Sequence, residues 1–469
     1  MLYAHNTVSV RLFCFLATTL ALTVGTFGAA GPTTLRDDDS CDISVAPAAT
    51  LLLPYFEVDL ENASGETTLF TMTNVTSLSQ IARVTLWTDL AYPVVTFNIY
   101  LTGYDVHSLD LRDVLVRGVI GPSLGTGIWV SHVGDRSELN GRLDISLCGV
   151  IPPRLDATAV LRMQQAFTLG SITGFCDRVG TSHANAVGYA TVDVVGNCGT
   201  SGPTDPDYFT EDIRYDNVLI GDYQQVNGHE NYAQGSSMVH IRAIPEGGTP
   251  RNRAERITRF ERTFYGRFQD PAHPVADARQ PLPSTFAARW INGSTGDFKT
   301  SFQIWRQGVT TVTADCAAYR ENEFMFMGET VVFDLDENGE GVDLTICDSL
   351  CDRPELILLP ATSRVSVTPG SETLPQSILS DDTAGWVYFN FDDATSDNAH
   401  QNWVTVSMRA EGRYSVAYDA AWLGNGCSPG MPFSSYSDRA LPPPGVVSTP
   451  TPPGAILPGP APDVNPPRP

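Results

Sequence analysis

Lysine and positive charge are what this sequence lacks most. It has 29 lysine and arginine residues against 53 aspartate and glutamate residues, which gives a formal net charge of −24, and Lys299 is its only lysine. An acidic surface of this kind repels phosphate backbones and anionic lipid headgroups, and it attracts divalent cations. Nucleic acid and anionic lipid are therefore excluded as general partners.

Long apolar runs are also absent after the first thirty residues. Arg11 precedes the apolar run "LFCFLATTLALTVGTF", and the small residues "GAAG" follow it. This run is shorter than the roughly 20 residues that cross a bilayer, and the pattern is typical of a signal peptide. We predict that residues 1–30 are removed by cleavage after Ala30, the alternative being an uncleaved anchor. The mature chain is then secreted, to the periplasm, the cell surface or the extracellular space, and has no transmembrane span.

Cysteine is infrequent, but its number fits an oxidising compartment. Of the nine cysteines, Cys14 lies inside the signal peptide, and the even number that remains favours disulfide bonds. The eight candidates are Cys41, Cys148, Cys176, Cys198, Cys316, Cys347, Cys351 and Cys427. The sequence leaves their pairing open. A zinc site is the alternative, but only "CDSLC" approaches the spacing that zinc requires.

Helix-forming patterns are scarce, whereas strand patterns are frequent. Segments such as "IARVTLWTDL", "GWVYFNF" and "NWVTVSM" are short, rich in Val, Thr and aromatic residues, and bounded by turn-forming residues. The two helix candidates are residues 155–169, with Leu155, Ala159, Arg162 and Ala166 on one face, and residues 251–264. This pattern predicts an all-β protein of two immunoglobulin-like β-sandwich domains with a mixed inserted segment.

A faint internal repeat supports two related domains. Asn74 and Trp87 are thirteen residues apart in "TNVTSLSQIARVTLWTD", and Asn292 and Trp305 have the same spacing in "INGSTGDFKTSFQIWRQ". We interpret both as one hairpin used twice, with Asn in the turn and Trp on the core. Chance similarity between two strand-rich stretches is the alternative.

Proline-rich stretches suggest the domain boundaries. Residues 31–200 are predicted to form the first sandwich, residues 201–281 a linking or inserted subdomain, and residues 282–428 the second sandwich. Residues 429–469 form a predicted disordered tail, in which twelve of the 29 residues from Leu441 onward are proline. Such a segment favours an extended, polyproline-like conformation.

Several stretches of the mature chain resemble a family of uncharacterised secreted bacterial proteins. They include "LLLPYFEVDL", "TLWTDLAYPVVTFNIYLTGYDVHSLDLRDVL", "GYATVDVVGNC", "QGSSMVHIRA" and "GRYSVAYDA". The resemblance covers most of the mature chain, and it implies an exported, β-rich protein. No activity is attached to this family, so the resemblance implies no catalytic residue.

The segment "FDLDENGEGVDL" begins as a calcium-binding loop does. Asp334, Asp336 and Asn338 supply oxygen ligands before Gly339, but the twelfth position, where an EF-hand loop carries a bidentate glutamate, is Thr345. The flanking residues have strand patterns, and Asp-Glu-Asn-Gly between two strands predicts a hairpin turn. A hairpin turn is therefore the favoured interpretation, a weak calcium site is the alternative, and no other cofactor is indicated.

Two other motifs have competing interpretations. "GPSLG" places Ser123 as in a nucleophile elbow, but the following residues lack a helical pattern, which favours a glycine-rich loop. Residues 251–267 are rich in arginine on an otherwise acidic chain. They are interpreted as pairing with acidic residues of the same protein, the alternative being a docking site for an anionic glycan or another copy of the chain.

No motif retains both the residues and the structural context of a catalytic site. An enzyme needs titratable groups gathered in a pocket, whereas the acidic residues here are dispersed in turn-like contexts. The sequence therefore predicts an exported, non-catalytic structural or binding protein of the bacterial envelope or extracellular space, with a glycan or protein partner. The alternative is a secreted hydrolase or a glycan-active or glycan-binding protein.

Overall fold

The described part of the chain is built mainly from antiparallel strands. The structure is a computed structural model that describes residues 43, 45–120, 154–199, 201–205, 208–243, 263–268, 277, 279–293, 298–308, 324–325, 329–342, 358–367, 382–391, 401–410 and 414–423. Those residues form twenty strands and only two short α-helices. The predicted all-β class is confirmed.

The first nine strands form two sheets that face each other. Strands β1 to β9 are Thr50–Val58, Glu66–Asn74, Gln80–Thr88, Pro93–Leu101, Val106–Asp110, Ala186–Val195, Leu219–Asn227, Tyr232–Ser237 and Val239–Ile241. One sheet has the order β4-β3-β6-β1-β9 and the other β5-β2-β7-β8. Apolar residues of both sheets, among them Leu51, Val84, Phe70 and Met72, form the core between them. We call residues 50–241 the first sandwich.

The remaining strands form a second pair of sheets. Strands β10 to β20 are Thr285–Ile291, Phe298–Arg306, Phe324–Met325, Glu329–Asp334, Gly339–Val342, Leu358–Leu359, Thr362–Val367, Ala384–Asn390, Asn402–Ala410, Tyr414–Asp419 and Ala421–Trp422. The sheet orders are β14-β13-β17-β10-β20 and β16-β11-β18-β19, while the short strands β12 and β15 pair with each other. We call residues 285–422 the second sandwich.

The two sandwiches have the same topology. Each strand of the first has a counterpart in the second, in the same chain order and at the same place in the sheets. The register also agrees, since Glu66 of β2 lies opposite Asn227 of β7 and Phe298 of β11 lies opposite Ala410 of β18. The paired residues of β2, β7 and β8 therefore have defined equivalents in β11, β18 and β19.

The segment expected to link the two domains contributes strands to the first one. Strands β7, β8 and β9 lie within residues 201–281, and they pair with β2, β7 and β1. Both sheets of the first sandwich therefore extend beyond residue 200. The first proline-rich stretch, at residues 201–207, lies between β6 and β7 of one sandwich, whereas the second, at residues 269–283, lies in the chain between the two sandwiches. Proline interrupts a sheet ladder whether or not a domain ends there.

The sequence repeat that suggested two domains is not the structural repeat. The connection after Asn74 joins β2 to β3 and the connection after Asn292 joins β10 to β11, and each pair of strands belongs to different sheets. Neither connection is a hairpin within one sheet, so the predicted hairpin is wrong. Both tryptophans are nevertheless buried. The rings of Trp87 and Trp305 lie 5.7 and 5.9 Å from the ring of Tyr189.

The longer of the two helices was predicted at residues 155–169, and the structure confirms a helix over most of that range. Helix α1 is Leu111–Arg117 and helix α2 is Ala157–Leu169. Helix α2 begins where the side chain of Asp156 accepts a hydrogen bond from the backbone N–H of Ala159, and it ends at Gly170, whose φ is 63°. Met163, Ala166 and Phe167 are buried, whereas Arg162 of the predicted face is exposed.

Several predicted features lie outside the described residues. They are the signal peptide, Ser123, most of the arginine-rich segment and the proline-rich tail. Within the described ranges, no helix is long and apolar enough to cross a membrane. Arg267, from the end of the arginine-rich segment, lies over aromatic rings, with its guanidinium carbon 5.3 Å from the centre of Trp87 and 4.3 Å from that of Phe268.

Candidate functional site

The two sandwiches contact each other directly, through a shared apolar cluster and through polar residues beside it. Thr362 of the second sandwich donates a hydrogen bond to the carbonyl of Pro54 over 2.6 Å. Gln234 and Ser407 are both buried, and their side chains are hydrogen-bonded at 2.8 Å. Because these partners come from both sandwiches, a groove at this contact is lined by residues of both sandwiches.

A polar cleft of about 280 Å³ lies at the edge of this contact. Its walls include four carboxylates (Glu57, Asp59, Glu66 and Glu230), two arginines (Arg364 and Arg409), three amides (Asn62, Asn185 and Asn227) and His229. The first sandwich supplies the carboxylates, the amides and the histidine, and the second supplies the arginines. We call this feature the interdomain cleft.

Strand β1 brings Glu57 into the cleft by means of a β-bulge. Leu53 lies opposite Ala190 and Phe56 opposite Gly188, so β1 has one residue more than β6 over this stretch. A bulge leaves the extra residue outside the ladder and redirects the following side chains. The carbonyl of Pro54 is in the bulged stretch and accepts its hydrogen bond from the second sandwich.

Glu57 is held by three donors. It accepts hydrogen bonds from Tyr55 Oη at 2.8 Å, Asn185 Nδ2 at 2.7 Å and Arg364 Nη1 at 2.8 Å. Burial alone would raise the pKa of this carboxyl, but Arg364 and the hydrogen bonds outweigh burial and hold the pKa below its ordinary value. Glu57 is therefore ionised at neutral pH.

Glu66 has the opposite electrostatic environment. Its neighbours across the sheet are Asn227 of β7 and, one strand further, Tyr232 of β8. Tyr232 Oη donates to one carboxylate oxygen of Glu66, and Asn227 Nδ2 donates to the other at 3.2 Å. Burial raises the pKa of Glu66 above its ordinary value, because these neutral donors and the charge of Arg364 do not compensate for the lost solvation.

Each of the two arginines of the cleft lies over a tyrosine ring. Arg364 lies over the ring of Tyr55, with its guanidinium carbon 5.2 Å from the ring centre, and Arg409 lies 5.4 Å from the ring centre of Tyr232. Arg409 also pairs with Glu230 at 3.0 Å, and the two side chains are 33% and 42% exposed. An arginine stacked on a ring is preorganised to donate. Arg409 is the more accessible of the two.

The cleft is suited to hydrogen bonding rather than to apolar burial. Ionised carboxylates accept hydrogen bonds, guanidinium groups donate them, and amides do both. Each carboxylate oxygen of Glu57 and Glu66 already accepts a hydrogen bond from the protein, which fixes the orientation of both side chains. A ligand here would meet donors and acceptors in fixed positions.

A second polar cluster joins Asp89, Thr181 and His183. His183 Nε2 lies 2.8 Å from a carboxylate oxygen of Asp89 and 2.9 Å from the hydroxyl of Thr181. In a nucleophile triad the carboxylate and the hydroxyl contact different nitrogens of the imidazole, but here they share one. The backbone N–H of Thr181 also donates to Asp89 at 3.0 Å, so the cluster ties the chain after α2 to the end of β3.

A fully buried ionic network lies on the outer face of the β4-β3-β6-β1-β9 sheet. Asp193 accepts hydrogen bonds from Tyr208 and Tyr265, each at 2.7 Å, and the guanidinium of Arg279 lies between Asp193 and Asp277. None of the charged side chains reaches solvent. This network holds the segments after β6 and before β10 against the sheet, and it is closed to ligands.

The predicted calcium-binding residues lie at a hairpin turn. Strands β13 and β14 are paired, and the chain reverses at residues 335–338. The carboxylate of Asp334 accepts from the backbone N–H of Asn338 at 2.8 Å and from its side-chain nitrogen at 2.6 Å. The positive φ of the turn falls on Glu337, at 64°. Asp336 is exposed, and a calcium site at Asp334, Asp336 and Asn338 stays a prediction.

No group of three or more His, Cys, Asp or Glu side chains in the described ranges is arranged to hold a metal ion. Cys176 and Cys198 are both buried. The other six candidate cysteines lie outside the described residues, so the eight-cysteine framework and its pairing stay predictions.

The sequence alone does not reveal the cleft. Glu57 and Arg364 are 307 residues apart in the chain, and no spacing pattern connects residues of two domains. One signal was present, since Glu57 follows an apolar strand in "LLLPYFEVDL" and Glu66 begins another. Comparison with protein-family models, with curated proteins and with solved structures found no match.

Proposed function

We propose that the protein is an exported, non-catalytic binding protein of the envelope or extracellular space, and that the interdomain cleft binds a polyhydroxylated ligand such as a short glycan segment. In this proposal the two sandwiches are immunoglobulin-like scaffolds whose contact creates the site. The observation that carries the proposal is the convergence of carboxylates, amides and arginines from both sandwiches on one open cleft.

The chemistry of the cleft supports this class of ligand. Each sugar hydroxyl both donates and accepts a hydrogen bond, so adjacent hydroxyls match adjacent carboxylate and guanidinium groups. The stacked arginines and the hydrogen-bonded glutamates are already oriented, and preorganisation reduces the entropic cost of binding. Exposed Arg409 and Glu230, and the side chains of Asn62 and His229, are the groups best placed to contact a ligand.

A secreted glycan hydrolase is the second candidate. Two carboxyl groups with pKa values displaced in opposite directions are the pattern of an acid and a base in such enzymes, and Glu57 and Glu66 have that pattern. Binding is favoured because Arg364, Asn185 and Tyr55 hold Glu57, and Tyr232 and Asn227 hold Glu66.

Calorimetric titration with a panel of neutral and uronate-containing oligosaccharides tests the proposal. We expect at least one to bind, and we expect Arg409→Gln to weaken its binding about tenfold, since one charged hydrogen bond contributes about 1.5 kcal/mol or more. Arg117→Gln, on the exposed surface of α1, is the matched control and should leave affinity unchanged.

Two outcomes would contradict the proposal. Absence of binding by every oligosaccharide at millimolar concentration would exclude glycans as the ligand. Release of reducing ends that is abolished by Glu66→Gln would instead support the hydrolase.

A further inference from the structure

Strand β19 of the second sandwich exposes what its equivalent, β8, buries. The registers make Tyr414 the equivalent of Tyr232 and Val416 the equivalent of Gln234. Tyr232 and Gln234 are 8% and 5% exposed, because the second sandwich covers them. Tyr414 and Val416 are 66% and 48% exposed.

The same positions differ in chemistry as well as in exposure. In the first sandwich Tyr232 donates a hydrogen bond to Glu66. The equivalent of Glu66 is Phe298, whose ring stacks on Tyr414 with the ring centres 6.3 Å apart and the planes 14° from parallel. We call Phe298, Tyr414 and Val416 the aromatic strip. The aromatic strip is an apolar, exposed surface, whereas the equivalent surface of the first sandwich is polar and is covered by the second sandwich.

We propose that the proline-rich segment of this chain, residues 441–469, docks on the aromatic strip. Twelve of its 29 residues are proline, and Asp463 and Arg468 are its only charged side chains. Polyproline segments lose little entropy on binding, and aromatic surfaces are what they characteristically bind. The segment and the strip are thus matched in both apolar character and lack of charge.

The connection is long enough for this contact to form within one molecule. Strand β19 ends at Asp419, and the described chain ends at Leu423. Residues 424–440 lie between that point and the proline-rich segment. Seventeen residues span up to about 56 Å when extended, whereas β18, a strand of nine residues in the same sheet, spans about 30 Å.

A second copy of the chain is a poorer match for the strip. In the observed contact, β8 packs against the second sandwich, where Gln234 bonds Ser407. By the strand equivalence, the corresponding surface of another copy would carry Asp222 and Gln224, the equivalents of Thr405 and Ser407. Both are exposed polar residues, and they offer nothing apolar to Tyr414 and Val416.

Site-specific photo-crosslinking in the full chain tests the proposal. Tyr414 is replaced by p-benzoylphenylalanine, and in a control Tyr104, which is 70% exposed on the first sandwich, is replaced instead. Trypsin cleaves after Arg439 but not between Arg468 and Pro469, so the segment is recovered within one peptide, 440–469. We expect residue 414 to cross-link to this peptide in the monomer at least fivefold more than residue 104 does.

A second substitution separates docking from chance proximity. Val416→Gln gives β19 the residue that β8 has at this position, and it should reduce the cross-link at residue 414 several-fold. Val116→Gln on α1, where the side chain is 38% exposed, should not reduce it. Equal yields at residues 414 and 104, or a yield insensitive to Val416→Gln, would overturn the proposal. A cross-linked product found only as a covalent dimer would assign the strip to a second copy and would overturn it too.

Discussion

Glu57 and Glu66 show how neighbouring residues of one type acquire different properties. Both are largely buried in the same cleft, but Glu57 has an ion pair with Arg364 at 2.8 Å, whereas the donors to Glu66 are a phenol and an amide. Neutral donors compensate less for lost hydration than a guanidinium does. The pKa of Glu57 is lowered and that of Glu66 is raised.

This difference predicts opposite pH dependences for two matched variants. The raised pKa of Glu66 means that its contribution to stability is present at low pH and is lost as pH rises through the folded-state pKa. Glu66→Gln should therefore gain stability relative to the native protein as pH rises, by on the order of 1 kcal/mol. The lowered pKa of Glu57 means that Glu57→Gln should lose stability most above the unfolded-state pKa and least at low pH.

Urea unfolding between pH 4 and pH 8 measures both effects, as the free energy of unfolding of each variant minus that of the native protein. The two differences should diverge as pH rises. If they stay parallel across that range, the two carboxyl groups have the same environment and the assignment fails.

At the scale of strands, the sequence predicted the positions of the strands well and their pairing poorly. The alternation of valine, threonine and aromatic residues predicted β3, β17 and β18 correctly, because successive side chains of a strand point to opposite faces of the sheet. The duplication was inferred from a thirteen-residue spacing that aligns the wrong strands. True equivalents such as Glu66 and Phe298 share no chemistry, so only the register of the ladders identifies them.

Glycine occupies equivalent positions in the two sandwiches, which predicts that the neighbouring backbone leaves no room for a side chain there. Gly188 of β6 and Gly385 of β17 lie opposite the ends of β3 and β13. A Cβ atom at either position would collide with a backbone carbonyl, that of Trp87 or that of Phe333. Gly188→Ala and Gly385→Ala should each lower the free energy of unfolding by about 1–3 kcal/mol, the usual cost of overpacking.

Gly202→Ala is the control for this pair, because its Cβ would meet nothing closer than the Thr96 hydroxyl at 3.8 Å. Its free energy of unfolding should change by less than about 0.5 kcal/mol. Urea unfolding compares the three variants. Should either Gly188→Ala or Gly385→Ala be tolerated as well as Gly202→Ala, the backbone of that strand pair does not require glycine.

At the scale of the whole molecule, the two sandwiches share buried residues. One apolar cluster includes Leu52 and Tyr189 from the first sandwich and Phe302 and Trp403 from the second. Trp305 lies between them, with Phe264 and Tyr189 on its ring. A prediction of domain boundaries from sequence treats each sandwich as an independent folding unit. It therefore misses a core that forms only when both sandwiches are folded.

This shared core predicts a single unfolding transition. Calorimetry should give one peak whose calorimetric enthalpy equals its van't Hoff enthalpy. Trp305→Ala leaves a cavity in the shared core and should lower the free energy of unfolding by about 3–5 kcal/mol without splitting the peak. Leu335→Ala, at an exposed turn, should leave the peak where it is. Two resolved peaks in the native protein would mean that the sandwiches unfold separately.

The one-residue bulge in β1 has a consequence for how this chain tolerates change. Upstream of the bulge, β1 pairs with β6 as β10 pairs with β17. Downstream the count is shifted by one, so Phe56 rather than Tyr55 faces Gly188. Deleting Pro54 would remove the bulge and leave Phe56 opposite Gly188 and Glu57 opposite Val187, so the carboxylate of Glu57 would stay on the same side of the sheet. The chain should therefore tolerate loss of the extra residue better than loss of a residue from the regular ladder after it, which would turn the following side chains to the opposite face.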